Sequence, residues 1–196
     1  MLDVQVVRLD SSALHTYADV SIEFEVRSKV RLDVLVESSG MSWIEEPVEP
    51  YGKNYDLVLS EHPRTLGTRF DTSNWGIFGA NLAERQIGGA IVAARSSDFD
   101  MLAERDDLAV LVDLRVQPAF RGQGIGRALF KAAADWAKLQ GCRELLVETQ
   151  DTNVPACRFY SAMGFQLHSI ATDGYGPDNP EVKLILRSEF QTDAAT

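Results

Sequence analysis

The chain has 196 residues, 45% of them apolar, and 19 basic against 29 acidic side chains give it a formal charge of −10. Such a size and apolar share predict one globular domain over residues 1–196 with a packed core, and the negative charge argues against nucleic acid or an anionic membrane as partner while favouring encounter with cations. No run reaches the ~18 apolar residues of a membrane span, and Met1-Leu2-Asp3-Val4-Gln5 lacks a signal-peptide pattern, so a soluble, cytoplasmic protein is expected.

Two cysteines, Cys142 and Cys157, lack CxxC spacing, and His15, His62 and His168 are scattered with no HExxH pattern. Reduced core thiols and no metal are expected.

In chain order, Val4 to Arg8 reads as an opening strand, and Ser11 or Ser12 as the cap of a helix running to about Asp19. Alternating apolar residues from Ile22 to Val36 predict half-buried strands. Ser38-Ser39-Gly40 and Pro47 to Gly52 read as loops, with Glu45, Glu46 and Glu49 as a local acidic patch. Whether residues 38–65 form a substrate lid stays open. Trp75 to Ala80 and Gln86 to Ala93 predict a hairpin joined by Asn81 to Arg85, and a disordered-looking or short helical connection spans Ser96 to Asp107.

The clearest strand is Leu108 to Val116, with Val110, Val112, Leu114 and Val116 expected on one face and Asp113 opposite; Pro118 ends it. Leu129, Ala133, Trp136, Ala137 and Gln140 recur at helical spacing and Gly141 stops them, which predicts a helix over about 124–140. Glu144 to Thr149 is the next strand, Val154 to Met163 a second helix, Gly164 to Leu167 opens a further strand, and a last strand lies near Glu181 to Leu186. Residues 191–196 read as a frayed tail.

Between the clearest strand and its helix stands "RGQGIG", Arg121 to Gly126. Strand, tight loop and helix form an arrangement whose free N–H groups and helix dipole suit an anion, and glycine lets the backbone approach it, so a phosphate-bearing ligand is expected. A Walker loop would need Lys-Ser/Thr after Gly126, and a GxGxxG motif would need glycine where Arg127 stands.

The pattern [QR]xxGx[GA] fits Arg121, Gly124 and Gly126, and it resembles the pyrophosphate loop of the Gcn5-related N-acetyltransferases (GNAT). "LLVETQDTNVPACRFYSAMGF", Leu145 to Phe165, is similar to the streptothricin acetyltransferase branch, as is, more weakly, "PYGKNYDLV", Pro50 to Val58. The resemblance covers residues 75–187. It implies the acyl-CoA N-acyltransferase fold, a mixed α/β architecture with a largely antiparallel central sheet flanked by helices.

It also implies an acetyl-CoA-dependent transfer to a primary amine in a ternary complex. The thioester and pantetheine arm would pair with the backbone of Leu114, Arg115 and Val116. The diphosphate would sit on Arg121, Gly122, Gln123, Gly124, Ile125, Gly126 and Arg127. Asn153 would cap its helix, bond the pantetheine arm, or do both. Tyr160 is the implied general acid, since a phenol is only modestly mismatched to a departing thiolate. Glu148, Asp113 or water would take the amine's proton.

The streptothricin enzymes end in an aromatic-rich strand, where this chain has Val182-Lys183-Leu184-Ile185-Leu186. The acceptor therefore stays open between streptothricin, another cationic small molecule and a protein lysine or N-terminus. A non-catalytic acyl-CoA sensor and a nucleotide-binding module are the alternatives, and the oligomeric state is open between monomer and homodimer.

Overall fold

The computed structural model describes residues 2–31, 43–58 and 62–190. Expectations for 32–42, including the loop at Ser38, and for the tail at 191–196 lie outside the described residues. In chain order the elements are β1 (Val4–Leu9), α1 (Leu14–Tyr17), β2 (Phe24–Arg31), β3 (Ile44–Lys53), α2 (Leu66–Arg69), β4 (Gly76–Leu82), β5 (Arg85–Ala94), β6 (Leu108–Val116), α3 (Ile125–Leu139), β7 (Glu144–Gln150), α4 (Val154–Ala162), β8 (Gln166–Ala171) and β9 (Lys183–Glu189). The fold is mixed α/β, with a largely antiparallel sheet and flanking helices. Among the described residues no helix is long and apolar enough to cross a membrane.

Two compact units can be distinguished: the described parts of Met1–Glu23, Asn54–Leu145 and Phe190–Thr196 form the first, and those of Phe24–Lys53 and Leu146–Glu189 the second. In the first, β1, β4, β5 and β6 lie side by side in that order, each antiparallel to its neighbour. Near-continuous burial of β5 from Ile87 to Ala94 marks it as a central strand covered on both faces. Helix α3 presents Ile125, Leu129, Ala133, Trp136 and Ala137 at 3.6-residue spacing and buries that stripe. A fully buried Leu129 alone is worth ~2 kcal/mol. The N–H groups of Gly141 and Cys142 close the helix on the carbonyls of Lys138 and Ala137.

Three local expectations are corrected here. Asp10, not Ser11 or Ser12, caps the first helical segment: its carboxylate accepts the Ser12 N–H at 2.8 Å, and a 3-10 turn over Ser11–Ala13 leads into α1, which ends at Tyr17. The hairpin ladder extends to Asn81↔Gln86 and Leu82↔Arg85, so only Ala83 and Glu84 remain as the turn, with Ala83 at φ +53°. The third concerns β6. Asp113 pairs with Ile91 but Leu111 with Val92, so Val112 is an extra residue, a bulge.

Past that bulge the alternation changes sides. Arg115 and Asp113 share the face of Gly89 and Ile91, while Leu114 and Val116 share that of Ala90 and Gly88. Tyr17 lies against Gly89 and Leu129 against Gly88, so α1 and α3 cover opposite faces. Val110, paired with Ala93, therefore shares the face of Asp113, and the single apolar face expected from Val110 to Val116 is split by the bulge.

In the second unit, β7, β9 and β8 are neighbours in that order, with β8 and β9 antiparallel, and β2 pairs antiparallel with β3. The expected loop at Pro47 to Gly52 is part of β3. Its prolines are tolerated because a two-stranded sheet has only edge strands and the register slips between Val26↔Tyr51 and Ser28↔Pro47, accommodating Pro50. The expected acidic patch is drawn apart: Glu45 pairs with Arg158 of α4 and Glu46 with Arg31. The Val30 N–H donates to the Asp151 carbonyl at 2.8 Å, and Val154, Cys157, Tyr160, Phe165, Leu184 and Leu186 are buried.

Candidate functional site

In the first unit, β6 ends before Gln117, a single 3-10 turn covers Pro118–Phe120, and Arg121 to Gly124 lead into α3. Gly122 and Gly124 have φ of +74° and +84°, the left-handed region that a Cβ disfavours by ~1–2 kcal/mol, and the space a side chain would take at either is open to 4 Å. No side chain caps α3 at Gly124, and the helical hydrogen bonding begins with the Ala128 N–H on the Gly124 carbonyl at 3.0 Å. The six main-chain N–H groups of residues 122–127 donate to no described residue. Unpaired amides at a helix start, with the dipole behind them, form an anion cradle.

Arg121 opens the loop and is tied to the strand before it. Its Nε donates to the Val116 carbonyl at 2.8 Å, so the side chain fastens the loop to the end of the strand it follows. Arg127 is exposed on the first turn of α3. Leu114, Arg115 and Val116 are paired along one edge with Ala90, Gly89 and Gly88 of β5.

The side chain of Arg115, absent from the expected chemistry except through its backbone, is the largest fully buried one. Its guanidinium donates to Asp113 at 2.7 and 2.9 Å, to both carboxylate oxygens of Asp56 at 3.1 Å and to the Val20 carbonyl at 3.0 Å. It also lies 5.4 Å from the centroid of Tyr17. Burial alone would lower its pKa, but the neighbouring carboxylates of Asp113 and Asp56 outweigh that and push it upward. Burial, then the charge of Asp113, raises the Tyr17 phenol well above its ordinary value, so it stays a donor. Asp113 is thus held by three hydrogen bonds from Arg115 and Tyr17, with its side chain only 10% exposed, which leaves it less accessible to an incoming amine than Glu148 at 28%. The partners come from positions 17, 56, 113 and 115, a separation no local pattern could reveal.

The second unit holds Asn153, Tyr160 and Glu148. Asn153 caps α4, its side-chain oxygen accepting the Ala156 N–H at 3.2 Å, with Pro155 in the first turn. Tyr160 is buried on α4 with its ring 5.4 Å from those of Phe159 and Phe165. Glu148 on β7 accepts the Tyr175 hydroxyl at 3.0 Å and pairs with Lys183 Nζ at 3.2 Å, while Gln150 donates to the Tyr175 oxygen at 2.8 Å. Tyr175 and Lys183 were not singled out in the sequence. The run Gly174-Tyr175-Gly176, an aromatic between two glycines, is the signal that could have drawn attention to the first.

Among the described residues no group of three His, Cys, Asp or Glu side chains is arranged to hold a metal ion. Both cysteines are buried and unpaired.

The chain matches the model of the acetyltransferase (GNAT) family over residues 41–165. It is 38% identical over 84 residues to streptothricin acetyltransferase A of Bacillus subtilis (strain 168), a stretch that is 42% of this chain and 49% of that protein. Over 138 residues it is 28% identical to the streptothricin acetyltransferase of Escherichia coli, 70% of this chain and 68% of the other. The chain thus spans about half the length of its Bacillus subtilis relative. A solved structure from Bacillus anthracis, described as a streptothricin acetyltransferase in complex with acetyl coenzyme A, superposes with a TM-score of 0.78 at 22% identity, covering 96% of this chain and 100% of the other.

Proposed function

Because the chain belongs to the acetyltransferase (GNAT) family, we propose that it acts as one transferase domain that moves the acetyl group of acetyl-CoA directly to a primary amine. The observation that carries this reading is the run of six amides at residues 122–127 that donate to no described residue, with left-handed glycines at 122 and 124. A diphosphate is the anion such a cradle suits, and the Bacillus anthracis neighbour is described with acetyl coenzyme A bound.

In this reading the backbone of Leu114 to Val116 holds the pantetheine arm and thioester, and Asn153 adds a contact from the start of α4. The amine nitrogen attacks the thioester carbonyl and the C–S bond breaks. Glu148 or water accepts the amine's proton, and Tyr160 donates a proton to the departing thiolate. The acceptor is a cationic small molecule, streptothricin among the candidates, in keeping with a chain of net charge −10. The cytoplasm is the compartment this reading proposes for the reaction.

Release of free thiol from acetyl-CoA across a panel of primary amines that includes streptothricin tests the proposal. Turnover with at least one cationic amine is expected. Tight binding of CoA with no turnover on any amine would leave an acyl-CoA sensor instead.

A further inference from the structure

Glu148 does not stand alone. Glu148 and Gln150 alternate on one face of β7, Tyr175 comes from the segment between β8 and β9, and Lys183 opens β9. Lys183 Nζ lies 3.2 Å from Glu148 Oε2 and 5.0 Å from the centroid of the Tyr175 ring, whose hydroxyl donates to the other oxygen of the same carboxylate at 3.0 Å. Gln150 fixes that hydroxyl in turn at 2.8 Å. The backbone makes room for the lysine: a Cβ at Gly174 would lie 2.8 Å from Lys183 Cβ and 3.0 Å from its Cε. Both members of the ion pair are 28% exposed in their side chains, so solvent and solutes reach them.

A carboxylate that accepts hydrogen bonds beside the π-face of an aromatic ring is a receptor for an alkylammonium ion. The amine acceptor proposed above is such an ion at neutral pH, since a primary amine has a pKa near 10.4. Its head group is chemically the same as the ε-ammonium of Lys183. We propose that Glu148 and Tyr175 form the primary-ammonium subsite of the acceptor, and that Lys183 occupies it as an internal stand-in until an incoming ammonium displaces it. This rests on Glu148 lying at the acceptor end of the transferase site. It names the substrate class as primary ammonium ions carried on an alkyl chain, as the ε-ammonium of Lys183 is. It also gives Lys183 the part of a built-in competitor, which lowers apparent affinity by the fraction of time that it fills the site.

Calorimetric titration with pentane-1,5-diamine tests this on the full-length protein without any acetyl transfer. An exposed ion pair that is formed about four-fifths of the time masks the site about fivefold. Lys183→Met, and Lys183→Gln as a second variant, are therefore expected to bind the diamine about fivefold more tightly than wild type, and Lys183→Arg to bind as wild type does. Adding Glu148→Gln to Lys183→Met should abolish the gain. Unchanged or weaker binding in both folded lysine variants, or a gain that survives Glu148→Gln, overturns the proposal. The thiol-release assay separates the two readings: affinity gained without turnover on any amine refutes the transferase, and turnover without affinity gained refutes the subsite.

Discussion

The phenol of Tyr17 donates to the carboxylate of Asp113, 96 residues further along the chain, and the tyrosine ring lies flush against the bare backbone of Gly89. A Cβ at Gly89 would sit 2.2 Å from Tyr17 Cε2 and under 3 Å from two more ring atoms, and the ring cannot retreat because Arg115 lies across its face. Gly89→Ala should therefore destabilise the first unit by ~1–3 kcal/mol, the cost of overpacking a closed core. Arg115→Met should cost more, ~3–5 kcal/mol, by leaving Asp56 and Asp113 as buried like charges. Urea denaturation of the two variants against wild type checks both the sign and the order.

The amide cradle makes a separable prediction. Gly124→Ala requires a side chain at φ +84° but meets no atom within 4 Å, so it should lose only ~1–2 kcal/mol of stability. Gly124→Asp adds a carboxylate where a diphosphate would sit, and the affinity for CoA should fall at least tenfold beyond the alanine variant. Isothermal titration of the three proteins with CoA reads this directly, and equal affinities for the aspartate and alanine variants would remove the diphosphate from the loop.

Tyr160→Phe keeps the ring that packs on Phe159 and Phe165 and deletes only the hydroxyl. If that hydroxyl protonates the thiolate, kcat should drop by about 10²-fold, the lower range for a general acid, while acetyl-CoA affinity and thermal midpoint stay near wild type. A drop confined to the thermal midpoint would make the tyrosine a packing residue.

Acid sensitivity should trace to Glu181. Its burial alone would raise the carboxyl pKa, but hydrogen bonds from Lys53 and from Thr152, the latter at 2.6 Å, hold it below its ordinary 4.5. A carboxyl depressed in the folded state adds stability that is present above its unfolded pKa and lost as pH falls through the folded one. Lys53→Met should remove that contribution, and so lower stability at pH 7 while leaving it nearly unchanged at pH 2. Denaturation at the two pH values gives the comparison.

The cysteines should be inert. Burial pushes the Cys157 thiol up to about 12 and raises Cys142 as well, so little thiolate exists at pH 8. Mass spectrometry after iodoacetamide treatment of the native protein should find neither residue modified, and both modified once the chain is denatured.

The elements that a reader of the sequence could place were those whose cause is local. Leu108 to Val116, the helix from Ile125 and the cap at Asn153 each carry their own periodicity or turn chemistry, and the structure puts them where that chemistry demands. The left-handed loop before α3 was legible for the same reason: glycine at 122 and 124 is a statement about two backbone angles. What escaped were relations set by pairing. The Val112 bulge depends on the register against β5, and the strand at Pro47 to Lys53 depends on a partner, β2, able to tolerate prolines. Likewise the lock on Asp113 required knowing that Tyr17, Asp56 and Arg115 meet in space, and the Lys183–Glu148 pair joins two strands 35 positions apart, a count that follows from their residue numbers.

The extra residue at Val112 is what lets one strand carry a sequence whose parity breaks midway. Leu111 against Val92 and Asp113 against Ile91 are already consecutive rungs, so a single-codon deletion of Val112 would close the bulge and leave Asp113 and Arg115 on the ionic side of the sheet and Leu114 and Val116 on the greasy one. Length is therefore forgiving at this one position, whereas a residue gained or lost between Asp113 and Val116 would turn ions onto the greasy surface.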